Sequence, residues 1–493
     1  MNQRTQVGSI VLVAALCLAI LGDALLRSTP WGINIFLWIS ALGLVLVLLG
    51  RRWSNFSAPR QYELTTTALL GAAAFAWHDS PALGLLNALA ILVAFGLVAL
   101  PAHAKPLRLS GVMEYALEAA SSGIYTLCGL PVLLFGDVEW KQVSHRTVSR
   151  RLITVGRGVL LALPLLFVFG GLLMAADAVF EGIVNRVLTE YFNNLFSHVF
   201  VIGFCTWISA GFLRGVFVGK ELAIRDLTRP KALAVGGVEA VVVLTLLNLL
   251  FLSFVLVQFH YFFGGAAQIG SYTKLTYAEY ARRAFFELVA VAALILPLLL
   301  VLEWLVQKDQ HKLLLLFRGL IGLQVIFLFV IMASALQRMR LYQGEFGLTE
   351  LRLYTTAFMG WLAAVLIWFM LTVLIGKRER FAFGALVAGF LLVGALHLLN
   401  PDDFVIRTNL ARTAEGRSFD AKYASSLSAD SVPALIGGLA SLSPQERKLV
   451  ATRILKRWSG PELRDWRSWN SSRYKARALT QEYQRILTEA ANE

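Results

Sequence analysis

Eleven apolar runs, all but the short third near the roughly 20 residues that a helix needs to cross a bilayer, recur along this 493-residue chain. They fall at 7–26, 33–49, 64–77, 82–100, 153–174, 199–218, 238–257, 285–306, 313–336, 354–375 and 381–399. Inside hydrocarbon every backbone N–H and C=O must be satisfied within the segment, so runs of this length predict helices and not open sheets. A water-soluble domain carries about 25% charged residues; here the share is 15%, beside 57% hydrophobic residues. The expected fold is all-α: a polytopic transmembrane helix bundle of about eleven spans with a small helical C-terminal domain.

Four regions follow from the changes in composition: N-terminal hairpins at 1–100, a basic loop at 101–152, a transmembrane core at 153–399, and a polar helical domain at 400–493. In the last, Ser443-x-x-Glu446 and Ser459-x-x-Glu462 have the spacing of capping boxes. The segment 111–135 is apolar, but Glu114, Glu118 and two serines suit an interfacial or re-entrant piece better than a span. The first run is too long for a cleaved signal and reads as a retained span. Arg4, Arg51, Arg52, Arg150, Arg151, Lys220, Lys377 and Arg378 gather on one side of the predicted bundle, against fewer basic residues on the other. By the excess of basic residues in cytoplasmic loops, the N-terminus is expected in the cytoplasm and the C-terminus outside. The formal net charge of +14 is then a property of loops, and no nucleic-acid partner is expected.

The stretch 254–290 carries the densest polar chemistry beside apolar spans. Gly264-Gly265 ends one helix, and Thr276-x-x-Glu279 opens the next with a capping box. Glu279, Arg283 and Glu287 follow at four-residue steps, stacking as a ladder of alternating charge, with Arg282 beside it and Gln258 before it. The same ladder serves equally to cap and orient two helices. Asp177 at the end of the fifth run, and Arg338, Glu345 and Arg352 between the ninth and tenth, fall on the same predicted side. Together these nine residues are the candidate ligand site. Arginines alternating with carboxylates suit an anionic small molecule or a lipid headgroup; the carboxylates alone would suit acid–base chemistry on a lipid-linked substrate.

No phosphate-binding loop, nucleophile elbow or zinc-protease motif is present, and Cys17, Cys128 and Cys205 have no paired spacing. No metal or cofactor is expected. His397, alone on an apolar run, reads as a packed histidine.

LLMAADAVF at 172–180, FVLVQFHYFFGG at 254–265, LTYAEYARRAFFELVAVAAL at 275–294 and RMRLYQGEFGLTELRLY at 338–354, with the tail phrases NPDDFVIRTNLAR and SLSADSVPAL, together resemble the bacterial multi-pass family catalogued as domain of unknown function 4173. The resemblance covers about 150–435. It implies a bacterial cytoplasmic (inner) membrane protein and carries no reaction or catalytic residue. The functional expectation is a non-enzymatic transport or envelope-signalling component in contact with the lipid bilayer. The alternatives are a membrane enzyme and a structural protein that docks an envelope partner.

Overall fold

The computed structural model describes residues 2–53, 59–99, 111–143, 147–187, 193–218, 236–263, 277–306, 311–460 and 465–493, and the described residues are helical throughout with no sheet. Ten of the described helices are long and apolar enough to cross a membrane. The protein is an all-α, multi-pass membrane bundle with a helical C-terminal domain.

The N-terminal half packs α1 (Gln3–Leu26), α2 (Ile33–Arg52), α3 (Pro59–Trp77), α4 (Pro81–Val98), α5 (Val112–Val132) and α9 (Asn193–Phe217) around Val11, Leu46, Leu133 and Leu213. Between α5 and α9 lie α6 (Trp140–Val143), α7 (Thr147–Ala176) and α8 (Ala178–Val187). The second half packs α10 (Gly237–Phe263), α11 (Tyr277–Leu305), α12 (His311–Phe346), α13 (Glu350–Phe369) and the start of α14 (Phe381–Leu399) around Leu244, Leu299, Phe317, Leu328 and Phe369. Side chains from α14 reach the first core as well, so this helix joins the halves.

Two expectations change here. The segment 111–135 was expected at the interface, yet 118–137 is among the ten helices of span length. Its hydroxyls explain the difference: Ser121 donates to the carbonyl of Glu118 (2.8 Å) and Thr126 to that of Ser122 (2.9 Å), so their polarity is satisfied within the helix. This helix lies on α9 at a backbone contact, where a Cβ on Gly211 would come within 1.8 Å of the Thr126 carbonyl oxygen. Gly211→Ala is therefore expected to force α5 off α9 at a cost of about 1–3 kcal/mol, read as a lower melting temperature in detergent. The expected runs 64–77 and 153–174 are helical within α3 and α7 but are not among the ten. α3 is nonetheless held in the bundle, with Leu64, Ala68 and Ala72 buried in its core.

The second change is at α12. It runs 36 residues, well beyond the predicted 313–336, so the expected loop carrying Arg338 and Glu345 is a helical extension. Gly347 stops it with a left-handed backbone (φ 77°), which is the usual helix terminator.

The direction of the helices follows from ion pairs at the two ends. Near the start of α1, Asp137 is fully buried between Arg4 of α1 (2.6 Å) and Arg214 at the end of α9 (2.5 Å). At the far end of α1, Asp23 meets His198 near the start of α9, and Arg27 donates to Ser197 (2.8 Å). The C-terminal domain sits on this second end. It comprises α15 (Pro401–Thr413), α16 (Ala421–Ala424), α17 (Val432–Gly438), α18 (Pro444–Trp458), α19 (Ser471–Glu482) and α20 (Gln484–Asn492). These close around their own core of Val405, Leu435, Val450, Ile454, Ala476 and Leu487, to which Leu348 of the bundle adds. Ser443 and Glu446 form a complete capping box at the start of α18; the second expected box, at Ser459 and Glu462, falls partly outside the described residues.

Candidate functional site

The polar chemistry that the structure gathers lies where the C-terminal domain meets the bundle, at the turn His78-Asp79-Ser80 between α3 and α4. Pro81 occupies the first turn of α4, where its missing N–H costs nothing. The preceding N–H groups of Asp79 (2.7 Å) and Ser80 (3.1 Å) donate to one oxygen of Asp430, from the short turn Ala429–Ser431 of the C-terminal domain. The other Asp430 oxygen faces His78 Nδ1 at 2.8 Å and accepts from the Ser472 hydroxyl. Burial alone would push this carboxyl up. The hydrogen bonds from His78 and Ser472, with the charge of His78, overcome burial and hold it below its ordinary value.

Arg473 of α19 is the second clasp. It is 4% exposed and pairs with Asp79 at 2.8 Å, while its other terminal nitrogen donates to the carbonyls of Trp31 (2.9 Å) and Ser468 (2.7 Å). Asn470 donates to the carbonyls of Phe75 and His78, satisfying the end of α3. Ile33 at the start of α2 donates to the Trp469 carbonyl at 2.9 Å.

Asp402, in the first turn of α15, lies one shell deeper. One of its oxygens accepts from the Ser428 N–H (3.1 Å) and hydroxyl; the other is buried without a hydrogen bond among the described residues, and the Glu350 carboxyl at the start of α13 is its acidic neighbour. Burial, the main cause, pushes the Asp402 carboxyl above its ordinary value. Beneath His78 the rings of Trp77 and His397 stack, and His397 Nε2 lies 2.8 Å from Asn87 of α4.

Beside this network a cleft of about 700 Å³ opens between the domain and the bundle. Arg457, Arg473 and Arg477 enter it from the domain, with Trp458; Trp31, Phe75, Gly84, Leu85 and Ala88 line it on the bundle side. Arg457 is engaged with the Leu427 carbonyl (2.6 Å) and lies over the Trp458 ring. Arg477, one turn after Arg473, makes no hydrogen bond or ion pair among the described residues. Asp79 and Glu350 also border the cleft. Among the described residues, no three His, Cys, Asp or Glu side chains are placed to hold a metal ion.

The nine residues singled out from the sequence are distributed differently. Asp177 caps α8, accepting from the N–H groups of Val179 (2.7 Å) and Phe180 (3.0 Å). Glu345 pairs with Arg417 of the C-terminal domain at 3.0 Å. Arg352 lies over the Tyr342 ring at 4.2 Å and donates to the Gly347 carbonyl. Arg338 is half-buried on α12, and Glu287 is exposed on α11. The side chains of Gln258, Glu279, Arg282 and Arg283 lie outside the described residues, as do Gly264, Gly265 and Thr276. The residues of the observed network carried only local signals: a turn between two spans, and the tail phrases containing Asp402, Ser428 and Asp430.

A family model described as a domain of unknown function (DUF4153) matches residues 64–437. The chain belongs to that family. The family of unknown function that the sequence phrases suggested, number 4173, is not the one that matches. The DUF4153 match begins within α3 and takes in His78, Asp79, Glu350, Asp402 and Asp430. Asn470, Ser472 and Arg473, which close the network, lie beyond it. No curated protein and no solved structure matches the chain.

Proposed function

We propose that this DUF4153 protein is a non-enzymatic transport or envelope-signalling component of the bacterial cytoplasmic membrane, whose cleft at the end of the bundle takes an anionic small molecule or lipid headgroup. The observation that carries the reading is Arg477. It enters a cleft already lined by two arginines and two tryptophans, and its own charge has no partner among the described residues. A guanidinium so placed offers a planar fork to a phosphate or carboxylate. His78 is oriented by Asp430 much as a catalytic base would be, but its other ring nitrogen is buried beside His397, which favours a structural role for the pair over an enzymatic one.

The test is equilibrium binding of glycerol 3-phosphate and of phosphatidylglycerol to purified protein in neutral detergent. Arg477→Glu is expected to weaken whichever binds by roughly tenfold or more, the worth of one charge-assisted hydrogen bond, with the melting temperature unchanged. Equal binding by the variant, or none by the wild type, contradicts the reading.

We further propose that the cleft faces away from the cytoplasm. The opposite end of the bundle carries Arg4, Arg51 and Arg52, Arg214, and Arg378 and Arg380, in keeping with the basic bias of cytoplasmic loops. A single cysteine at Gln343, on the α12 extension, is expected to react in whole cells with a membrane-impermeant thiol reagent. Protection until the cells are broken would place the C-terminal domain inside.

A further inference from the structure

The cleft is asymmetric in a way that names its ligand more closely. Its upper wall is guanidinium and indole; its lower wall, on α3 and α4, is Phe75, Pro81, Gly84, Leu85 and Ala88. A soluble anion has no use for that lower wall. Gly84 and Ala88 are one turn apart and leave α4 shallow along this edge: a Cβ placed on Gly84 would meet nothing nearer than the Phe75 ring at 3.5 Å. From the mouth of the cleft the same helix presents Leu85 (63% exposed), Leu89 (50%) and Leu92 (68%) at steps of four and three residues, which keeps them on one face. At 1.5 Å per residue, this stripe descends about 10 Å from the level of Leu85 toward the middle of the bilayer. Trp31, which lines the cleft, and Trp77, at the end of α3, are both about half exposed, as suits indoles that settle between headgroups and chains.

Resting on the reading of the cleft as an anion site, we propose that its occupant is a phospholipid with an anionic headgroup, taken laterally from the bilayer. The phosphate meets Arg477, and the acyl chains leave over Gly84 and Ala88 to lie along the leucine stripe. The cleft volume suits a headgroup and the first part of the chains; the rest of the lipid lies outside it, on a surface that is already apolar.

The experiment is native mass spectrometry of the full chain released from vesicles of equal parts phosphatidylglycerol and phosphatidylcholine. The wild type is expected to retain phosphatidylglycerol over phosphatidylcholine by tenfold or more, and millimolar glycerol 3-phosphate is expected not to displace it. Ala88→Trp, which fills the shallow edge, and Leu85→Arg, an exposed position, are each expected to abolish retention; the second keeps the test usable if the first fails to fold. Retention unchanged in both variants overturns the proposal. Displacement by glycerol 3-phosphate also overturns it, while leaving the anion site intact. Equal retention of the two lipids overturns the proposal of an anionic headgroup.

Discussion

Arg473→Ala is expected to destabilise the docked C-terminal domain by about 3–5 kcal/mol, the usual cost of removing one partner from a buried ion pair. The variant leaves the Asp79 carboxylate buried without its cation, and frees the carbonyls of Trp31 and Ser468 that now accept from the same guanidinium. Burial already pushes the Asp79 carboxyl above its ordinary value, with Arg473 as the main opposing charge. Thermal unfolding in detergent, together with protease sensitivity of the chain after Leu399, reads the loss. Arg473→Lys should fall between the two, since an ammonium can pair with Asp79 but lacks the planar fork that reaches the two carbonyls. A melting temperature for Arg473→Ala equal to that of the wild type would mean that the clasp contributes nothing to docking.

Asp430 and Asp402 approach the same Ser428 hydroxyl, at 3.2 Å in the case of Asp430, yet they are expected to respond to substitution with opposite sign. Asp430→Ala removes the acceptor for two backbone N–H groups, the His78 ring and the Ser472 hydroxyl, at an expected cost of about 2–5 kcal/mol. Its folded carboxyl lies below its ordinary value, so its contribution is present above about pH 4 and is lost as pH falls through the folded value. Asp402 lies above its ordinary value, so its contribution is full below about pH 4 and is lost as pH rises through the folded value. At neutral pH it weighs against the fold. Asp402→Asn keeps an acceptor for Ser428 and removes a buried charge that has the Glu350 carboxyl as a neighbour. The expected result at pH 7 is a gain on the order of 1 kcal/mol, shrinking to nothing near pH 4. Destabilisation by Asp402→Asn at pH 7 would contradict this account of the carboxyl pair.

The membrane bundle was legible because hydrophobic length is a local signal: a run such as 238–257 states its own fold. The same signal is divided at 111–135: 118–137 has the length and composition of a span, and the hydroxyls of Ser121 and Thr126 are bonded to their own helix. Hydrophobic length does not reach the extension of α12, because charged residues past Leu336 continue the helix as far as the stop at Gly347. The network at the docking surface was not legible, for a different reason. His78 and Asp430 are 352 residues apart, and neither stands in a motif. Polar residues at span ends look alike in sequence whether they cap their own helix, as Asp177 does, or reach another domain, as Asp79 does. The ladder of Glu279, Arg283 and Glu287 is legible in the sequence because its members are close in sequence. Tertiary pairing leaves no such spacing.

The C-terminal domain is seated on the turn between α3 and α4, and a cross-link between the two reads that seating. The Ser472 Oγ lies 2.9 Å from the Trp77 carbonyl oxygen, so the two residues are neighbours across the docking surface. In a chain whose Cys17, Cys128 and Cys205 are replaced by alanine, Trp77→Cys and Ser472→Cys are introduced together and the membranes are mildly oxidised. The account predicts an intramolecular disulfide, seen as a reductant-sensitive shift in mobility and absent from either single variant. Failure to form it while both thiols react freely with N-ethylmaleimide would show that the domain sits elsewhere.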